Sequence, residues 1–210
     1  MLKENKPDFE KAQNAATNLL LKQNISNLRI DVKSLFLDKA IIIDSIQHYC
    51  LLTGTRKEEY IYNGFSGAYV LKLKTGLFII LYDEDDSIHR QRWGIAHELG
   101  HIYLEHDNDE SKQEVEANFF AAQLLMPEII IRYANKLQGH FSIYDVSKYF
   151  DVSEDAAQRR IKTLNNKMIR FSSEEKQLLR KMITIVEKEF LNLKVLDHND
   201  SLPYLFEQIG

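Results

Sequence analysis

"QRWGIAHELGHIYLEHD", residues 91 to 107, holds two histidines four positions apart with a glutamate directly after the first. Residues at that spacing on an α-helix differ by about 40° in direction and about 6 Å in height, so His97 and His101 leave the same face and can share one ion. Imidazole nitrogens suit zinc. Glu98 lies about 100° round the helix from His97, where its carboxylate reaches a water beside such an ion more easily than the ion itself. That is the place of a general base: zinc lowers the pKa of water towards about 7, and the glutamate takes the proton as the water attacks a carbonyl, then passes it to the leaving amine. The plain alternative is a solvated helix face with two ordinary histidines. Gly100 argues against it, because a glycine inside a helix costs about 1 kcal/mol relative to alanine and implies a close neighbour such as a second helix.

Outward from this stretch, Ser87 is placed to cap the helix, and Ile88, Ile95, Ala96, Leu99 and Ile102 are spaced to face inward. Before it, "AYVLKLKTGLFIILYD" (68–83) puts β-branched and aromatic residues on both sides of a glycine turn, the pattern of a hairpin. The histidine helix therefore follows a strand. Further upstream, residues 8 to 22 read as a helix capped by Asp8, and Asp31 to Leu52 as a second helix broken at Gly54. Downstream, "SKQEVEANFFAAQLLMP" (111–127) is a helix that Pro127 ends. Shorter helices are expected over 128–137, 142–150 and 153–166. A longer one follows over 172–190, with a Ser172/Glu175 capping box and an apolar stripe of Leu178, Leu179, Met182, Ile185 and Val186. The fold class is α+β: a mostly helical, zincin-like domain with a small antiparallel sheet. The expected division is a metallopeptidase core over 1–140 and a helical segment over 141–210 packed on it.

Two histidines do not complete a catalytic zinc site, which needs a third protein ligand and a water. His106 lies five residues past His101, about 140° round a continuing helix, and so reads as a surface or helix-end residue. Asp107 would require the helix to turn back; the metzincin pattern has glycine at position 104 and histidine at 107, where this chain has Leu104 and Asp107. The next helix offers Glu114 and Glu116. Periodicity places Val115, Phe119, Ala122 and Met126 on one apolar stripe with Phe120 and Leu124 beside it, and Glu116 lies nearer that buried side.

The strings "RQRWGIAHELGHIYLEH" and "EVEANFFAAQLLMP", in this order, resemble the ImmA/IrrE family of metallo-endopeptidases, associated with phages and mobile elements. With the preceding strand the resemblance covers about residues 70 to 130. It implies zinc held by His97, His101 and the glutamate of the EAN string, Glu116, with Glu98 as the base. It also implies a substrate: a cognate helix-turn-helix repressor, whose cleavage releases genes from repression.

The segment "FSIYDVSKYFDVSEDAAQRRIKTL" (141–164) is itself helix-turn-helix-like. In such a unit the N-terminal residues of the second helix meet base edges, and here they are Glu154 and Asp155, which repel phosphates. A structural role comes ahead of nucleic-acid binding through 141–170, although Arg159, Arg160 and Lys162 follow. A net charge of -4 supplies no global attraction to polyanions. The alternative to a peptidase is a non-proteolytic regulator that binds DNA or a repressor or toxin partner. Intact Glu98 argues for the peptidase, since a purely structural zinc has no use for a base there.

Of 210 residues, 44 % are hydrophobic and 28 % charged, an ordinary balance for a folded soluble chain. The one cysteine, Cys50, cannot form an intramolecular disulfide and is expected to be buried. No run approaches the roughly 18 apolar residues of a membrane span, so no membrane partner is expected and the location is read as cytoplasmic. Four groups present themselves as oxyanion donors, Tyr82, Tyr103, Tyr133 and His140, and an extended substrate is expected along the edge of the sheet near Phe78 to Tyr82.

Overall fold

The computed structural model describes residues 6–61, 67–107, 111–165 and 170–191. The part of the 141–210 segment beyond 191 lies outside the described residues, as do 108–110 and 166–169, and residue 166 ends the expected 153–166 helix. The chain divides into two compact units, one of residues 1–15 with 31–121 and one of 16–30 with 122–210. The division falls inside two helices.

The first unit is built on a three-stranded sheet of β1 (Ile41–Ser45), β2 (Ala68–Lys72) and β3 (Phe78–Tyr82), in the order β1-β3-β2. The expected hairpin is β2–β3: Leu73 N–H bonds to Leu77 O at 2.8 Å, and Gly76 takes a φ of 84° that a side chain would strain. The helix expected from Asp31 to Leu52 is not formed as such. The consecutive Ile41, Ile42 and Ile43 are β-branched and stiff at χ1, and they pair with Phe78, Ile79 and Ile80 as a parallel strand. The sheet is therefore mixed rather than antiparallel. Ser45 ends that strand and caps α2 (Ile46–Thr53) by accepting from His48 N–H, and Gly54 closes α2 at φ 71°. As the central strand β3 is buried through Ile79, Ile80 and Leu81, the continuous apolar run of a strand covered on both faces. Ile79 and Leu81 join Ile46 and Tyr60 in one cluster, with Tyr49, Leu71 and a half-buried Cys50 against it.

Helix α1 (Phe9–Leu21) begins at Asp8, whose Oδ1 accepts from Lys11 N–H at 2.9 Å. Helix α3 (Ile88–Leu104) begins at Ser87, whose hydroxyl accepts from Arg90 N–H. Ile95, Ala96, Leu99 and Ile102 are buried as expected, while Ile88 at its start is exposed. Two glycines set where α3 lies. A Cβ on Gly94 would sit 2.6 Å from the carbonyl carbon of Gly67, at the start of β2. A Cβ on Gly100 would sit 3.0 Å from Cα of Ala117 in α4 (Ser111–Leu125). The second helix inferred from Gly100 is α4.

The second unit contains α5 (Glu128–Gln138), α6 (Ile143–Phe150), α7 (Glu154–Asn165) and α8 (Ser173–Leu191), with α5 packed on α8 and α6 on α7. Pro127 ends α4 and caps α5. The α8 capping box is present: Glu175 N–H donates to Ser172 Oγ and Ser172 N–H to Glu175 Oε2, both at 3.1 Å. Between α6 and α7 the chain turns at Asp151, φ 52°, and Ser153 caps α7. Arg160 is buried against the Gln123 side chain and Met126 O. Across the described residues the fold is α+β and mostly helical. No described helix is long and apolar enough to cross a membrane.

Candidate metal centre

The one-turn spacing on α3 brings His97 Nε2 and His101 Nε2 to 3.0 Å. Opposite them stands the carboxylate of Glu114, in the first turn of α4, with one oxygen 3.4 Å from His97 Nε2 and the other 3.2 Å from His101 Nε2. These three side chains form a group whose donor atoms can hold a metal ion. Donors about 2.0–2.2 Å from one zinc at tetrahedral angles lie about 3.3–3.5 Å apart. The separations here approach the edges of that tetrahedron, and the donors, two imidazoles and one carboxylate, are those of an open catalytic site, so the residues fit the ion. Glu98, half-buried, follows His97 on the same helix.

His97 is poised to offer a lone pair. Burial and the adjacent His101 both disfavour its imidazolium, against a weaker opposing contact with Asn118, and push its pKa down to about 4. At neutral pH the ring is uncharged and has one nitrogen lone pair to offer a metal.

Glu116, which the resemblance implied beside the histidine pair, is not the carboxylate that faces them; Glu114 stands there. One of its oxygens accepts from Asp8 N–H at 2.7 Å and lies 3.8 Å from Lys112 Nζ; the other lies 3.0 Å from His106 Nε2. The two glutamates are two residues apart, about 200° round α4, so they point to opposite sides. The buried face of α4 runs through Glu116, Ala117, Phe120, Ala121 and Leu124, while Val115 is exposed.

His106 is a second correction. The helix on which it would point away ends at Leu104: Glu105 takes φ 60°, and both Glu105 N–H and His106 N–H bond to His101 O. That left-handed turn folds His106 back, buried, with its Nδ1 3.1 Å from His101 Nδ1. Lys11 Nζ and Lys39 Nζ donate to Leu104 O and Ile102 O, satisfying carbonyls that the end of a helix leaves open. Of the expected oxyanion donors, Tyr103 gives its hydroxyl to Asp38 at 2.7 Å, and Tyr133 gives its own to Glu187 at 2.6 Å. Lys33 lies over the Tyr82 ring, 3.7 Å from its centre.

Two histidines and a neighbouring glutamate on one helix, with a carboxylate brought by the next, are an arrangement that can hold a metal ion, as metal-dependent peptidases do. Residues 74–162, from the β2–β3 turn into α7, match the family model described as Peptidase_M78, IrrE N-terminal-like domain. The match covers less than half of the chain, and over those residues the chain is similar to the ImmA/IrrE peptidases. No curated protein matches the chain.

Proposed function

We propose that the protein is a zinc-dependent endopeptidase that cleaves a helix-turn-helix transcriptional repressor and so relieves repression of phage or mobile-element genes. The observation that carries the reading is the convergence of His97 Nε2 and His101 Nε2, on the helix that bears Glu98, with the Glu114 carboxylate of α4 at 3.0–3.4 Å. His97, His101 and Glu114 would hold the ion. Zinc in such a site supplies a Lewis acid that polarises a carbonyl and brings the pKa of water to about 7. Glu98 takes the proton of the attacking water and delivers it to the amine nitrogen as the peptide bond breaks. The repressor as substrate rests on the family resemblance.

An extended substrate cannot add to β3, which has β1 on one side and β2 on the other. The expected edge near Phe78 to Tyr82 is thus replaced by β2, an outer strand among the described residues, where main-chain hydrogen bonds can hold a peptide. Its start touches α3 at Gly94, three residues before His97. The helix-turn-helix-like geometry of α6 and α7 favours a second reading, a DNA-binding regulator. Against it stand Glu154 and Asp155 in the first turn of α7, the pairing of Arg159 with Asp155 and the burial of Arg160.

The test is incubation with a helix-turn-helix repressor taken from the open reading frames that neighbour this gene. Wild type is expected to cut it with zinc and not after chelation, and Glu98→Gln to keep the metal while cutting about 10²–10⁴-fold more slowly. Wild-type cutting by Glu98→Gln contradicts the mechanism. Salt-dependent binding of duplex DNA, with no cutting by any form, favours the regulator.

A further inference from the structure

We propose that His106 and Glu116 form a buried positioning relay that fixes which nitrogen of His101 carries its proton, leaving Nε2 free for the metal. The proposal rests on the reading of His97, His101 and Glu114 as a metal site. Its parts are all in the first unit: His101 Nδ1 to His106 Nδ1 at 3.1 Å, His106 Nε2 to a Glu116 oxygen at 3.0 Å, and Asp8 N–H to the other Glu116 oxygen at 2.7 Å.

With Glu116 ionised and His106 neutral, one assignment of protons satisfies the chain. An ionised carboxylate only accepts, so His106 must donate to Glu116 from Nε2. A neutral His106 that donates from Nε2 can only accept at Nδ1, so His101 must donate to it from Nδ1. A neutral His101 with its proton on Nδ1 has its lone pair on Nε2, the nitrogen that faces His97 and Glu114. The carboxylate that anchors this order is nearly closed to solvent, its side chain 7 % exposed, and its second oxygen is held by the backbone that starts α1. The partner of a metal-ligating histidine's other nitrogen orients the ring, sets its tautomer and raises its basicity. No proton moves along this relay during the reaction; it acts through His101, and its members are positioning residues.

The relay is tested by zinc affinity, measured in chelator competition, together with the visible spectrum of the cobalt(II) form and the thermal unfolding of the metal-free protein. Glu116→Gln puts a donor amide where only acceptors fit, and His106→Leu removes the acceptor for His101. Each is expected to weaken zinc binding about 10–100-fold, with the cobalt band of the wild-type ligand set retained. Glu114→Ala, which deletes a ligand, is expected to change that band. His106→Asn leaves an amide oxygen near the place of Nδ1 and is expected to recover part of what His106→Leu loses. Wild-type zinc affinity in Glu116→Gln and His106→Leu overturns the relay. So does a loss that Asn restores no better than Leu and that follows the thermal unfolding alone. If His97→Ala and Glu114→Ala also leave zinc affinity unchanged, the metal reading falls and the relay with it.

Discussion

Glu114 and Glu116 differ by two positions and by everything that matters to a metal. The side chain of Glu114 is 41 % exposed and faces the two Nε2 atoms; that of Glu116 is 7 % exposed and faces the far side of His101 through His106. Periodicity reads Glu116 correctly as the more buried of the pair; its place as the third ligand came from the family resemblance, and the structure brings Glu114 to the histidines instead. A catalytic metal keeps a position open to water and substrate, so its carboxylate stands at the rim. The carboxylate sealed inside is the one that orients a ligand. A direction 140° from His101 holds for His106 only on a continuing helix, and a non-glycine residue at positive φ, Glu105, is uncommon enough that no residue type announces the turn. The pairing of His97 with His101 is legible because it is internal to one helix.

His97 also gives a pH prediction for the metal-free protein. Its pKa falls from 6.5 to about 4 on folding. Below 6.5 the unfolded chain binds a proton that the folded chain refuses, so this group's stabilisation is complete above pH 6.5 and is lost as pH drops towards 4. Urea midpoints of the chelated protein across that range should decline more steeply for wild type than for His97→Gln. Equal slopes would show that burial does not hold His97 neutral.

At the level of elements, what was legible was whatever had a local signature. The glycine turn of β2–β3, Ser87, Pro127 and the Ser172/Glu175 box each fix a boundary with a few residues, and each stands where expected. Strand β1 had no such mark: three isoleucines inside an apolar stretch fit a helix or a strand, and their pairing with β3, 37 residues away, decides the matter. Packing of α3 on its neighbours turns on missing side chains. Alanine at Gly94 would gain about 1 kcal/mol in helix propensity but force a Cβ to within 2.6–2.7 Å of the Gly67–Ala68 backbone. Overpacking of that kind costs about 1–3 kcal/mol, so Gly94→Ala should lower the stability measured by urea unfolding. Equal or higher stability would mean that β2 gives way at no cost.

At the scale of the whole chain, the family match accounts for 74–162, and the structure adds parts that lie before it. Strands β1 and β2 complete the sheet round β3, and the turn before α1 supplies Asp8 N–H to Glu116. The α+β class was readable from alternating patterns along the chain. The two compact units were not, because each joins residues from separate stretches, and their division falls inside α1 and α4 with no change of composition to mark it. The central claim spans the two helices of the first unit that face each other across Gly100: His97 and His101 from α3 share one zinc with Glu114 from α4. It is tested most directly by an anomalous-difference map, recorded at the zinc edge from crystals grown with the metal. The account predicts one peak about 2.0–2.2 Å from His97 Nε2, His101 Nε2 and a Glu114 oxygen, with Glu116 still bonded to His106. A peak bound by Glu116, or none beside the two histidines, would contradict it.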